Sequence, residues 1–170
     1  KIHVVVHEKE LLACFYYAGV YEYVDESGNV VDSSGNLYDS SPIIEGITFD
    51  NLILGSKPHV SDDKAYDALI QYAHYARTYS LKFDKIYKDG AIYYQVKDVF
   101  VNMGTLENAE EKVFRLSKLY SNIEGLKGIL HLEDYSGGNK NIIFEQTVEE
   151  SKPAEESNEQ SSEETGGEST

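Results

Sequence analysis

Short runs of β-branched and aromatic residues, each closed by a turn cluster, recur along this chain, and only two intervening stretches carry helical periodicity. That alternation confines the chain to folds in which many short strands share one or two helices. Residues 2–7 read I-H-V-V-V-H, a strand pattern. Apolar runs follow at Leu11–Tyr17 and Val20–Val24. The second ends in Asp25-Glu26-Ser27-Gly28-Asn29, a turn, and Val30-Val31 leads into another turn, Ser33-Ser34-Gly35-Asn36. Three short strands with tight turns predict an antiparallel meander.

The segment Ser41-Pro42-Ile43-Ile44-Glu45-Gly46 reads as a short extended piece, placed at a sheet edge or a strand start because Pro42 has no amide to give to a ladder. Residues 52–58 read as a loop. The first helix is expected over 61–79, capped by Ser61, with Asp62 and Asp63 at the positive end of the dipole. Its buried face comprises Tyr66, Leu69, Ile70, Ala73 and Ala76, and its remaining tyrosines are expected to pack rather than to bind a ligand. Strands are expected over 84–87, 91–96 and 99–103, the first two joined at Lys88-Asp89-Gly90 and the next two at Lys97-Asp98. The second helix is expected over 108–123, opened by an Asn108/Glu111 capping box and stopped at Gly125, with Val113, Leu116, Tyr120 and Ile123 inward. A strand over 127–134, a flexible break at Tyr135-Ser136-Gly137-Gly138-Asn139 and a last strand over 141–146 complete the order. The fold class is therefore α+β: a mainly antiparallel, mixed sheet, two helices on one face, and the last strand at a sheet edge.

The chain's 170 residues suffice for one ordinary domain. Its net charge of -15 disfavours nucleic acid, whose phosphates need lysine and arginine, and disfavours direct adhesion to anionic lipid. About half of that charge lies in 147–170, where eight Glu stand against one Lys. That segment is too poor in apolar residues to offset its ordering entropy and is expected to be disordered. The chain has 14 Tyr and no Trp, a composition suited to exposed sheet faces and interfaces. No apolar run is long enough to span a membrane. Lys1 opens directly into a strand pattern, so the chain is expected to be a fragment of a longer protein.

No catalytic pattern stands out. His3 and His7 share a strand face, but no Cys or carboxylate partner lies at metal-ligand spacing, and surface histidines are the ordinary reading. His59, His74 and His131 are scattered. Cys14, the single cysteine, sits in an apolar run and reads as a buried, inert thiol. No phosphate-binding loop, dinucleotide fingerprint or nucleophile elbow occurs, so no cofactor and no enzymatic activity are expected. One feature does point to binding. A last strand at a sheet edge, apolar at Ile142, Ile143 and Phe144, offers a template for a partner's strand. The alternative is an internal strand whose apolar residues are core.

Several stretches, collinear and suitably spaced over residues 1–146, carry a resemblance. They are E-K-E-L-L-A-C-F (8–15), Y-E-Y-V-D-E-S-G-N-V-V (21–31), S-P-I-I-E-G (41–46), V-F-V-N-M-G (99–104) with N-A-E-E-K-V-F-R-L (108–116), and G-I-L-H-L-E-D-Y (128–135). This set resembles the extracytoplasmic β domain of the bacterial cell-division proteins called FtsQ or, in Gram-positive bacteria, DivIB. Two positions depart from the family's habit: Met103 stands where Leu is usual, and L-H-L-E (130–133) where V-D-L-R is common. The resemblance implies that residues 1–7 end a truncated POTRA domain, that 8–146 form the β domain, and that 147–170 are an acidic tail. It implies a missing N-terminal transmembrane helix as the only membrane attachment, and a place outside the cytoplasmic membrane at the division septum. It also implies a non-enzymatic scaffold that binds FtsB/DivIC-like and FtsL-like proteins by strand addition. The binding segment carried over is 135–145, with Tyr135, Ser136, Gly137, Ile142, Ile143 and Phe144 as contact residues. Gly137 and Gly138 would leave room for close backbone approach. The competing expectation is a peptidoglycan-binding module built on exposed tyrosines.

Overall fold

The computed structural model describes residues 10–38 and 41–147. The expected leading strand with His3 and His7, and the acidic segment beyond Thr147, lie outside the described residues. The meander is present: β1 (Ala13–Tyr17), β2 (Val20–Val24) and β3 (Val30–Ser34) pair antiparallel in succession. Asp25 closes its second turn, with Oδ1 accepting from the amides of Ser27 and Asn29.

The chain then crosses to the middle of the sheet. β4 (Ile43–Glu45) lies parallel to β1 on one side and to β7 (Lys85–Asp89) on the other. Of the two positions expected for the Pro42 segment, strand start is the one observed. Pro42 sits just outside β4, where its carbonyl accepts from the Cys14 amide and its missing N–H costs nothing. Between β4 and β7 come a two-stranded ribbon, β5 (Phe49–Asn51) with β6 (His59–Val60), and the helix α1 (Asp63–Thr78). The sequence carries no signal for this ribbon, because three- and two-residue strands show too little alternation. The cap of α1 is Asp62, not Ser61: its Oδ1 accepts from the Ala65 amide at 3.0 Å.

β7 runs antiparallel to β8 (Ala91–Val96), and β8 to β9 (Val99–Gly104). The helix α2 (Ala109–Ile123) then carries the chain over to β10 (Gly128–His131), which is parallel to β9. Asn108 precedes α2 in a left-handed conformation (φ 53°) and its side chain makes no capping bond, so the expected capping box does not form. The box needs an extended N-cap residue, and this backbone is not extended. β11 (Ile143–Gln146) returns antiparallel to β10 and ends the sheet. The strand order is β11-β10-β9-β8-β7-β4-β1-β2-β3.

The β4–β7 and β9–β10 crossovers step in the same direction across the sheet from strands of the same polarity. Crossovers of one hand therefore lay both helices on the same face. One core joins them: Tyr66, Leu69, Tyr72 and Ala73 of α1, Val113 and Leu116 of α2, and Ile44, Ile86, Tyr94, Val101 and Leu130 of the sheet. The α1 tyrosines pack, as their spacing predicts, and each buried hydroxyl finds a carbonyl. Tyr66 donates to Gly28 at 2.7 Å and Tyr72 to Thr105 at 2.7 Å. The Tyr94 hydroxyl on β8 donates to the Tyr72 carbonyl at 2.6 Å. Cys14 is wholly buried, and desolvation pushes its thiol up to about 12, so it stays protonated and unreactive at physiological pH.

Candidate partner-binding edge

The sheet has two ends, and they differ. At the β3 end, the loop between β5 and β6 folds back on the outer strand. The Val30 amide donates to the Ser56 carbonyl at 3.0 Å, and Gly55 donates to the Val30 carbonyl at 2.6 Å. Tyr38 reaches the same strand, its hydroxyl donating to Asp32 Oδ2 at 3.1 Å. Both backbone bonds fall on Val30, at the start of β3, and Asp32 adds a charge further along; a covering loop and a charge are common ways of blunting an edge.

At the β11 end no described residue lies beyond the strand in the sheet. The ladder's phase can be read from its flanks. The amides of Gly128 and Leu132 donate to Asp98 and Asn102 on the β9 side, so the odd-numbered residues of β10 face β11. Thr147 donates to the Lys127 carbonyl at 3.1 Å, in step with that phase. Ile143 and Glu145 stand opposite His131 and Ile129 and exchange their backbone bonds with them. The backbone amides and carbonyls of Phe144 and Gln146 are left facing the open edge.

Close approach of β11 to β10 depends on Gly128, whose φ is 149°. A Cβ there would stand 2.1 Å from the Glu145 carbonyl oxygen. The side chains of β11 alternate as a paired strand requires. Phe144, opposite Leu130, is half-buried against the core beneath the helices, as is Ile142. Ile143 projects from the other, helix-free face and is 64% exposed.

The expected contact residues divide accordingly. Ile142, Ile143 and Phe144 stand together on or beside β11. Ser136 and Gly137 belong to a hydrogen-bonded turn at one end of it, in which the Ser136 amide donates to the Asn139 carbonyl at 2.8 Å and Asn139 returns a bond to Ser136 Oγ. A Cβ at Gly137 or Gly138 would meet nothing within 4 Å. Tyr135 is different: its ring is buried in the core, so it anchors the turn rather than offering a surface.

Three titratable neighbours flank this edge: Glu145, within the expected 135–145 segment, and His131 and Glu133 outside it. His131 on β10 shares the helix-free face with Glu133 and Glu145. Its Nδ1 donates to Glu133 Oε1 at 2.9 Å, and its Nε2 lies 3.5 Å from Glu145 Oε2. The hydrogen bond to Glu133 raises the imidazole pKa above its ordinary value, partial desolvation opposes this, and Glu145 adds to the rise. The H-x-E spacing at 131 and 133 was the available signal, since residues two apart on a strand share a face. These residues, with Asp134, Asn141 and Ile143, line a recess of about 320 Å³ beside the edge. Among the described residues, no three His, Cys, Asp or Glu side chains are grouped so as to hold a metal ion. No described helix is long and apolar enough to cross a membrane.

No protein-family model, curated protein or solved structure matches the chain.

Proposed function

We propose that this chain is the extracytoplasmic β domain of an FtsQ/DivIB-type division protein. In this reading it is a non-enzymatic scaffold that takes a strand of an FtsB/DivIC-like partner, itself paired with an FtsL-like protein, alongside β11 at the division septum. The observation that carries the reading is the open ladder of β11: the outward backbone groups of Phe144 and Gln146, at one end of a sheet whose other end is partly covered at Val30. Main-chain bonds to those groups would set register. Ile142 and Phe144 on one face, and Ile143 and Glu145 on the other, would set specificity. The family resemblance of residues 8–146 supplies the partner's identity.

Calorimetry with the extracytoplasmic part of the FtsB/DivIC-type partner, with and without its FtsL-type companion, tests this. Phe144→Asp removes an apolar contact, and Gln146→Pro removes an outward amide without touching the β10 ladder. Both variants are expected to stay folded by far-ultraviolet dichroism and to bind at least about tenfold more weakly. Full binding by both would move the site away from β11. No binding by the wild-type chain to either form of the partner would sink the assignment.

One observation favours the competing reading, a glycan-binding module. Tyr87 and Tyr93 stack on the helix-free face with ring centroids 5.2 Å apart, each half-exposed. Sedimentation with purified peptidoglycan separates the two readings, because a Tyr87→Ala, Tyr93→Ala variant would lose glycan binding and keep partner binding.

A further inference from the structure

We infer that the recess beside β11 receives a basic side chain, arginine or lysine, from the strand that adds to this edge; the inference rests on strand addition at β11 and names the chemistry of what is added. Three carboxylates, of Glu133, Asp134 and Glu145, line the recess together with Asn141 and the exposed Ile143. His131 is its single basic group, and that ring is already engaged by Glu133 and Glu145. One carboxylate oxygen is left over. Glu133 Oε2 is shielded from solvent and has no hydrogen-bond partner. The Glu133 side chain as a whole is 32% exposed, so its charge is felt at the recess, where a cationic group carried by a partner would complement it.

The ladder fixes where such a residue would stand. Partner residues bonded to Phe144 and Gln146 would turn their side chains toward the helix-covered face, beside Phe144. The residues between them would project over the helix-free face, opposite Ile143 and Glu145. The added segment therefore alternates. On the helix side it is apolar. On the open side it places an apolar residue near Ile143 and a basic one, two positions away, near Glu145. The charge complementarity is specific to this end of the sheet and gives the edge a means of refusing acidic strands.

The test uses the whole chain and the extracytoplasmic part of the FtsB/DivIC-type partner in calorimetry over a salt series. The variants are Glu145→Lys, Glu133→Gln and, as a control for strand addition, Gln146→Pro. Glu145 is largely exposed, so its replacement leaves the β10–β11 ladder in place. The expected result is wild-type affinity that falls as salt rises, a loss of about tenfold or more with Glu145→Lys, and a smaller loss with Glu133→Gln. Replacing the partner's basic residue by Glu should restore binding to Glu145→Lys. If Gln146→Pro weakens binding while Glu145→Lys and salt change nothing, strand addition stands and the basic-residue inference is overturned. If Gln146→Pro is also without effect, or nothing binds, the β11 reading falls and takes this inference with it.

Discussion

At Gly128 the chain has no room for a side chain. Its φ of 149° and the 2.1 Å separation between a would-be Cβ and the Glu145 carbonyl leave a substituted residue two choices, to strain or to push β11 away. Gly128→Ala is expected to cost about 2–3 kcal/mol in urea unfolding and to weaken partner binding in proportion. His131 makes a second prediction. Its folded pKa lies above the ordinary 6.5, so the stability it contributes is fully present below the unfolded value and lost as pH rises through the folded value. Wild type should therefore lose more stability than His131→Gln between about pH 5.5 and pH 8.5, read as the difference between their urea midpoints. Equal losses would mean that the Glu133 and Glu145 contacts do not bind the proton. Neither residue announced itself in the sequence. A glycine before I-L-H looks like any strand start, and the close approach of Glu145 comes from a strand fifteen residues later. His131 is hard to single out because Glu133 lies just past the end of β10, and Glu145 sits diagonally across on β11, two residues beyond the Ile143 that faces it.

Strands and helices were more legible than their ends. The α1 stripe of Tyr66, Leu69, Ile70, Ala73 and Ala76 is buried as its period implies, since a helix with one apolar stripe has only one way to lie on a sheet. The caps were not legible. Ser61, Asp62 and Asp63 are all competent cap residues, and the backbone entering the helix chooses among them. Nor does the sequence place β4 between β1 and β7, because a three-residue strand after a proline reads alike at an edge and in the middle. Chain order places the last strand at an edge, and β11 lies there. Its ladder phase yields a prediction at this scale. In hydrogen exchange, the amides of Ile143 and Glu145 should be protected and those of Phe144 and Gln146 should exchange faster, with saturating partner slowing the second pair. Uniform protection along β11 in the free protein would mean that something already covers the edge.

Across the whole molecule, helices cover one face of the nine-stranded sheet and the other carries half-exposed Tyr87, Tyr93, Phe100, Ile129 and His131. The net charge of -15 sets the electrostatic background for that surface. Self-repulsion opposes the compact state, so raising sodium chloride from about 20 to 300 mM should raise the urea midpoint of unfolding. A midpoint that falls would mean that attractive pairs such as Lys57–Asp67 and Lys85–Glu45 outweigh the excess of like charge. The acidic recess beside β11 has a further effect on how copies of the chain meet. An exposed strand invites its own kind first, because identical molecules are always at hand. Two copies joined edge to edge about a two-fold axis would bring recess against recess, each lined by Glu133, Asp134 and Glu145. Like charge at that junction would oppose such a homodimer. On the proposed reading, that repulsion would leave β11 open to a strand of different charge.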